Sequence, residues 1–259
     1  MPRSALHVGP ETLIASPAPQ LPLSPYGTKH SAIHEFFFTG VLLPWQDFSE
    51  SVHALHRNVT WRRKTLALTL KTRDPYALAN VEIGDEHGLL GRFHKHFGDV
   101  INSVFNSQGI GIRFADFKSV RSTFSGTPDV IMKDNNHSIK LAGELKVPWI
   151  QQHSLRYKYN DIHCLREVLA QPIKYMQTLG CFYGFLSNYE ETIFLRQLVD
   201  SEGIWSIEYS PVVLSTDFCE KHRPSSPVVS ARQCFFYVGC EALKHEGVRN
   251  TTPYWVVRK

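Results

Sequence analysis

The apolar residues Leu89, Phe93, Phe97, Val100, Ile101, Val104 and Phe105 recur at intervals of three and four. That is the period of one helix face. It predicts a helix over residues 85–106 with Asp85 as its N-cap. Gly88 and Gly91 weaken its first turns or let something approach them closely. Other blocks follow the strand pattern. "TLALTL" (65–70) alternates and predicts a strand with one buried face. "IRFADFKSV" (112–120), "DVIMK" (129–133) and "IKLAGELKV" (139–147) are strands after the helix. A second helical stretch, 155–179, contains "LREVLAQPIKYMQTL". "CFYGFLS" and "ETIFLRQL" flank the turn "NYE", and "IWSIEYSPVVL" (204–214) reads as one further strand. "SARQCFFYVGCEAL" (230–243) predicts a closing helix, preceded by the exposed loop "EKHRPSSPVVS". This order argues for an α/β domain with one mixed central sheet flanked by helices. Residues 1–28 are rich in Pro, Ser and Ala without periodicity. They are expected to form a flexible arm ahead of a single domain, 29–259.

Composition changes this picture little. The 259 residues are 42% hydrophobic and 20% charged, which is enough for a sizeable core. A net charge of +4 permits a polyanionic partner without requiring one. Five cysteines, an odd set with no CxxC pair, argue against a disulfide scaffold and a zinc knuckle. A reducing compartment, nuclear or cytoplasmic, is the expectation, since neither a secretory signal nor a bilayer-length apolar run is read.

The candidate chemistry lies in "TPDVIMKDNNHSIKLAGELKVPW" (127–149), a hairpin of apolar strands that nevertheless carries charge. Such charges are costly unless something uses them. With Asp134 opposite Ile139, the loop is 135–138, and antiparallel pairing sets Asp129 directly opposite Glu144. Opposed residues share a face at about 4.5–5.5 Å between Cβ atoms. Lys146, two residues beyond Glu144, joins them, while Leu145 and Val147 turn toward a core. Two carboxylates so close repel one another when ionised, and a hard cation such as Mg²⁺ removes the conflict. A metal with a nearby lysine suits phosphodiester hydrolysis.

Pro128-Asp129 followed by Glu144-Leu145-Lys146 resembles the core motif of the PD-(D/E)xK nuclease superfamily. Gln171 and Tyr175 in "QPIKY" are similar to the Gln-x-x-x-Tyr motif of its RecB-like branch. The stretch from there to Leu198 also resembles nuclease-like domains widespread in fungal proteins. The resemblance covers about residues 82–198. It implies a restriction-endonuclease-like sheet and a Mg²⁺- or Mn²⁺-dependent nuclease acting on nucleic acid, DNA ahead of RNA. It implies Asp129 and Glu144 as metal ligands, the backbone carbonyl of Leu145 as a further ligand, and Lys146 as the catalytic lysine. Gln171 and Tyr175 support the site or touch substrate. An additional acid from the first helix is assigned to Glu86, with Glu82 in reserve. The other reading is an inactive nuclease-fold module that binds nucleic acid or protein, in a regulatory or effector role.

Three readings bear on the neighbourhood. Pro172 falls inside the Gln–Tyr motif, so a new helix is expected there, with Gln171 near its N-cap and Pro172 at N1. His94 and His96, two apart, face different sides of a helix and are expected to be solvated. Trp149, His153, Arg156, Tyr157, Lys158 and Tyr159 mix basic and aromatic side chains, as a nucleic-acid groove or an exposed loop does.

Overall fold

A computed structural model describes residues 5–29, 35–62, 66–70, 81–120, 124, 126–218 and 228–258. The chain begins with β1 (Ala5–Val8), α1 (Pro10–Ala15), β2 (Phe36–Phe38), β3 (Val41–Pro44), α2 (Phe48–Asn58) and β4 (Ala67–Leu70). Next come α3 (Glu86–Phe93), α4 (Asp99–Gln108), β5 (Ile112–Ala115), β6 (Val130–Asp134) and β7 (Ile139–Leu145). The helices α5 (Leu155–Tyr159) and α6 (Ile162–Leu179) precede β8 (Tyr183–Ser187), β9 (Glu191–Val199), β10 (Trp205–Tyr209) and β11 (Val213–Leu214). α7 (Ala231–Leu243) and β12 (Val256–Arg258) close the chain.

An eight-stranded sheet runs β3-β10-β9-β8-β7-β6-β5, with β11 beside β9. It is mixed: β7 pairs with β8 and β10 with β3 in parallel, and the other neighbours are antiparallel. Successive side chains leave a strand on opposite faces. Leu141, Phe185 and Phe194 therefore join one core with Leu89, Phe93, Ile101, Phe105 and Phe235 of α3, α4 and α7. Ala142, Leu186, Ile193 and Leu195 join a second core with Leu165, Leu169, Ile173 and Met176 of α6. Helices thus cover both faces, as the sequence pattern and the restriction-endonuclease-like expectation require. The first core is rich in aromatic contacts. Phe235 meets Phe93, Phe114, Phe185 and Phe194 nearly edge-on at 4.8–5.6 Å. Such pairs contribute about 0.5–1.5 kcal/mol each beyond area burial.

Several elements differ from the sequence pattern. The helix read over 85–106 is two helices joined by a π turn, His94–Gly98. Leu89, Phe93, Phe97, Ile101 and Phe105 repeat every four residues, which over-runs a 3.6-residue period. The wider π turn takes up the drift, and all five stay buried. The second helical stretch breaks at Asn160–Asp161, where Asp161 caps α6 by accepting from the His163 and Cys164 N–H groups. The restart expected at Pro172 is not there: α6 runs through it, held by Leu169, Ile173 and Met176 packed against the sheet. Residues 204–214 are two strands, parted at Pro211. β5 stops at Ala115, where Asp116 opens a 3₁₀ turn. The closing helix has a full capping box between Ser230 and Gln233. β4 pairs with β1, while Thr65, Cys219 and residues 220–227 of the expected loop lie outside the described residues.

The segment read as a flexible arm is docked from Ala5 onward. Ile14 and Ala18 lie in the first core, and the Ile14 carbonyl accepts from the Ser230 hydroxyl. Composition hid this, because two apolar plugs suffice to anchor a Pro- and Ser-rich chain.

The β6–β7 hairpin matters most for the site. Val130, Ile131 and Met132 lie opposite Gly143, Ala142 and Leu141, which is the register read from the sequence. Its tip is different. Lys133, not Asp134, faces Ile139, and Lys140 is the extra residue of a bulge. The Asp134 carboxylate closes the tip by accepting from the Asn136 and Ser138 N–H groups, each at 2.9 Å. Lys140 Nζ donates to the His245 carbonyl at 2.8 Å.

Candidate functional site

Asp129 stands one residue before β6 and Glu144 one residue before the end of β7. With Val130 opposite Gly143, the two acids follow side by side. Gly143 is required between them and the core: a Cβ there would sit 2.0 Å from Cε1 of Phe185. The Asp129 carboxylate accepts from the Leu145 N–H at 2.8 Å. Glu86 is the first residue of α3, whose cap, Asp85, accepts from the Gly88 N–H at 2.7 Å. Carboxylate oxygens of Glu86, Asp129 and Glu144 all lie within 4.8 Å of one another. Glu144 is buried, Asp129 half-buried and Glu86 exposed, so the cluster opens from the sheet toward solvent. Glu82, also exposed, is not part of it.

Lys146 Nζ donates to Glu144 Oε1 at 2.5 Å and to Gln171 Oε1 at 3.3 Å. Gln171 Nε2 in turn donates to the Tyr175 hydroxyl at 2.8 Å. An ammonium can only donate, which fixes the orientation of the Gln171 amide. Pro172 does not spoil this arrangement, because Gln171 and Tyr175, one turn apart on α6, stay on one side. Leu145, between the two charged residues, puts its side chain in the first core.

Burial pushes the Glu144 carboxyl up to about 8; the negative Asp129 adds to the shift, and Lys146 opposes it. Burial also raises Asp129, and the Leu145 N–H works against it. The Tyr175 phenol is raised by burial and then by Glu144.

Two buried atoms near the site have no hydrogen-bond partner among the described residues: Glu144 Oε2 and His153 Nε2. His153 belongs to the basic and aromatic stretch read as a groove or exposed loop, yet it is 1% exposed. Its Nδ1 lies 2.8 Å from the Val147 carbonyl, so Nδ1 carries the hydrogen and Nε2 the lone pair. Nothing in the sequence separates it from its neighbours, since burial is a tertiary property. Within that stretch Arg156 pairs with Glu191 at 2.6 Å, and Tyr157 is exposed. His94 and His96 are both half-buried rather than solvated. His96 Nδ1 lies 2.6 Å from the Tyr189 hydroxyl, and burial with nearby Lys95, Arg92 and Arg232 pushes it down to about 4. Cys181 and Cys234 are buried, Cys164 and Cys240 partly so, and all four are free thiols.

No helix among the described residues is long and apolar enough to cross a membrane. No protein-family model matches the sequence, and no curated protein does. Among solved structures the chain is similar to the type IIG restriction endonuclease BpuSI, at 16% identity and a TM-score of 0.28. The similarity covers 61% of this chain and 17% of that one, and a likeness so weak lends nothing to the reading of this site.

Proposed function

We propose that the chain is a divalent-metal-dependent nuclease that hydrolyses phosphodiester bonds, in DNA before RNA. The observation that carries this reading is Glu144, one of three acids that meet here, whose Oε2 is buried without a hydrogen-bond partner among the described residues. Leaving a buried acceptor unsatisfied costs about 1–3 kcal/mol, more when it is charged. A cation among the three carboxylates satisfies that oxygen and relieves their repulsion. The donors are hard oxygens and one side is open to water, a set that fits Mg²⁺ or Mn²⁺ rather than zinc. Glu86, Asp129, Glu144 and the carbonyl of Leu145 are the groups assigned to hold it. When bound, the ion polarises a phosphoryl oxygen and offsets charge on the phosphate.

The remaining roles belong to the chain. Lys146 orients the attacking water or neutralises charge that develops on the phosphate. The water oxygen bonds to phosphorus and gives up one proton to solvent, the bond to the leaving oxygen breaks, and that oxygen takes one proton from solvent. Gln171 holds the Lys146 ammonium together with Glu144, and Tyr175 holds Gln171. Asp129 uses one oxygen to anchor the Leu145 N–H, tying the two strands together beside the reacting position.

The test is plasmid nicking with Mg²⁺ or Mn²⁺ by the wild type, Glu144→Ala and Lys146→Ala. Loss of one such group is expected to cost about 10²–10³-fold in rate. Equal behaviour of all three proteins removes the nuclease reading. Retained binding of nucleic acid without cleavage by the wild type favours a non-catalytic module instead.

A further inference from the structure

Glu86 differs from the other two acids in how it is held. Among the described residues, no hydrogen bond or ion pair restrains its carboxylate, so its place depends on the backbone leading into α3. That lead-in is bound to the N-terminal segment. Ile83 N–H donates to the Pro22 carbonyl at 2.9 Å, Ser24 N–H to the Ile83 carbonyl at 2.9 Å, and Thr28 N–H to the Gly84 carbonyl at 2.7 Å. Leu23 and Ile83 form a parallel bridge. The same segment is fastened at its other side to the loop after β7. The Trp149 indole Nε1 donates to the Thr28 carbonyl at 2.9 Å. Its ring also covers Gly27 so closely that a Cβ there would lie 3.0 Å from Nε1 and 3.1 Å from Cε2.

Trp149 follows Lys146 by three residues on the chain that leaves β7. A continuous path therefore runs from Trp149 to Thr28, to Gly84, to Asp85 and its cap, and to Glu86. From this path we propose that Trp149 is a positioning residue: it clamps residues 22–28, and through them Glu86, against the strand that carries Glu144 and Lys146. The inference rests on the metal-site reading above. Groups that orient a ligand without touching the metal change affinity by about 10–100-fold when removed.

The experiment is calorimetric titration of the full chain with Mn²⁺, without nucleic acid. Trp149→Phe keeps the ring and loses the donor; Gly27→Ala presses a methyl into the indole. Each is made in the wild type and in a Glu86→Gln background. Either change is expected to weaken Mn²⁺ binding about 10-fold in the wild type and less than about 2-fold when Glu86 is already gone. Circular dichroism establishes that the variants are folded at the titration temperature. Wild-type affinity in both variants overturns the clamp and leaves the metal reading intact. An equal loss in the Glu86→Gln background also overturns it, because the effect then does not pass through Glu86. A wild type that takes no Mn²⁺ removes the metal reading and the clamp with it.

Discussion

Glu144 carries two oxygens in opposite circumstances. Oε1 meets the Lys146 ammonium, while Oε2 is buried and makes no hydrogen bond among the described residues. The carboxyl answers by holding its proton up to about pH 8. An unfolded chain releases that proton near the ordinary glutamate value of about 4.3, so the folded state binds more protons between the two values. Stability of the metal-free protein therefore falls as pH rises through that interval. Asp129, raised too, acts with the same sign. His94, His96 and His153 are held below their usual range and act oppositely, but only below about pH 6.5. The clean window runs from about 6.5 to about 8. Urea unfolding is expected to show wild-type stability declining across it and a nearly flat profile for Glu144→Gln. Parallel profiles would sink this account of Glu144. Tyr175→Phe strips the acceptor from a buried Gln171 amide and is expected to lower stability by about 1–3 kcal/mol.

At the scale of elements, β7 supports the site from behind. Gly143→Ala drives a methyl into the Phe185 ring, which is itself stacked on Phe93 at 5.6 Å. Overpacking of this kind costs about 1–3 kcal/mol, and the strand must shift to relieve it. Thermal melts check the cost, and a Mn²⁺ titration of the same variant is expected to show weaker binding, since Glu144 is the next residue. The cap of α3 is a milder lever. Asp85→Ala removes the bond to the Gly88 N–H and is expected to cost about 1 kcal/mol, read by urea unfolding. Helix ends and interiors also mark where local rules yield to packing. Pro172 reads as a break, yet its neighbours on α6 are buried against β7 and β8 and carry the helix through.

On the scale of the whole molecule, the N-terminal residues belong to the fold. Ile14→Ala opens a void in the first core and is expected to cost about 2–5 kcal/mol by urea unfolding, whereas a loosely attached arm gives no change. Much of the architecture was legible from pattern alone: strands β6 to β9 follow from short apolar runs bounded by turn residues, and α7 from helical spacing. The nearness of Asp129 to Glu144 was legible only in part: the register counted from the tip holds at the base because the bulge at Lys140 makes up for the tip pair that differs. β2, β3, α2 and β12 were not, since short strands at the rim gain their order from distant partners such as β10. The isolation of Oε2 and of His153 Nε2 was equally out of reach, as it depends on what fails to surround them. The clamp on Glu86 joins residues 27 and 149, a contact that no local pattern announces.

The bulge at Lys140 separates the tip of its hairpin from the base. Beyond it the Asp134 carboxylate closes the turn while Lys133 and Asp134 stay paired with β5, and before it the hairpin keeps step with the neighbouring strands. A peptide tag spliced between Asn136 and His137 is therefore free to vary in length without dragging the acids out of line, which makes this tip a natural handle for labelling or immobilising the protein.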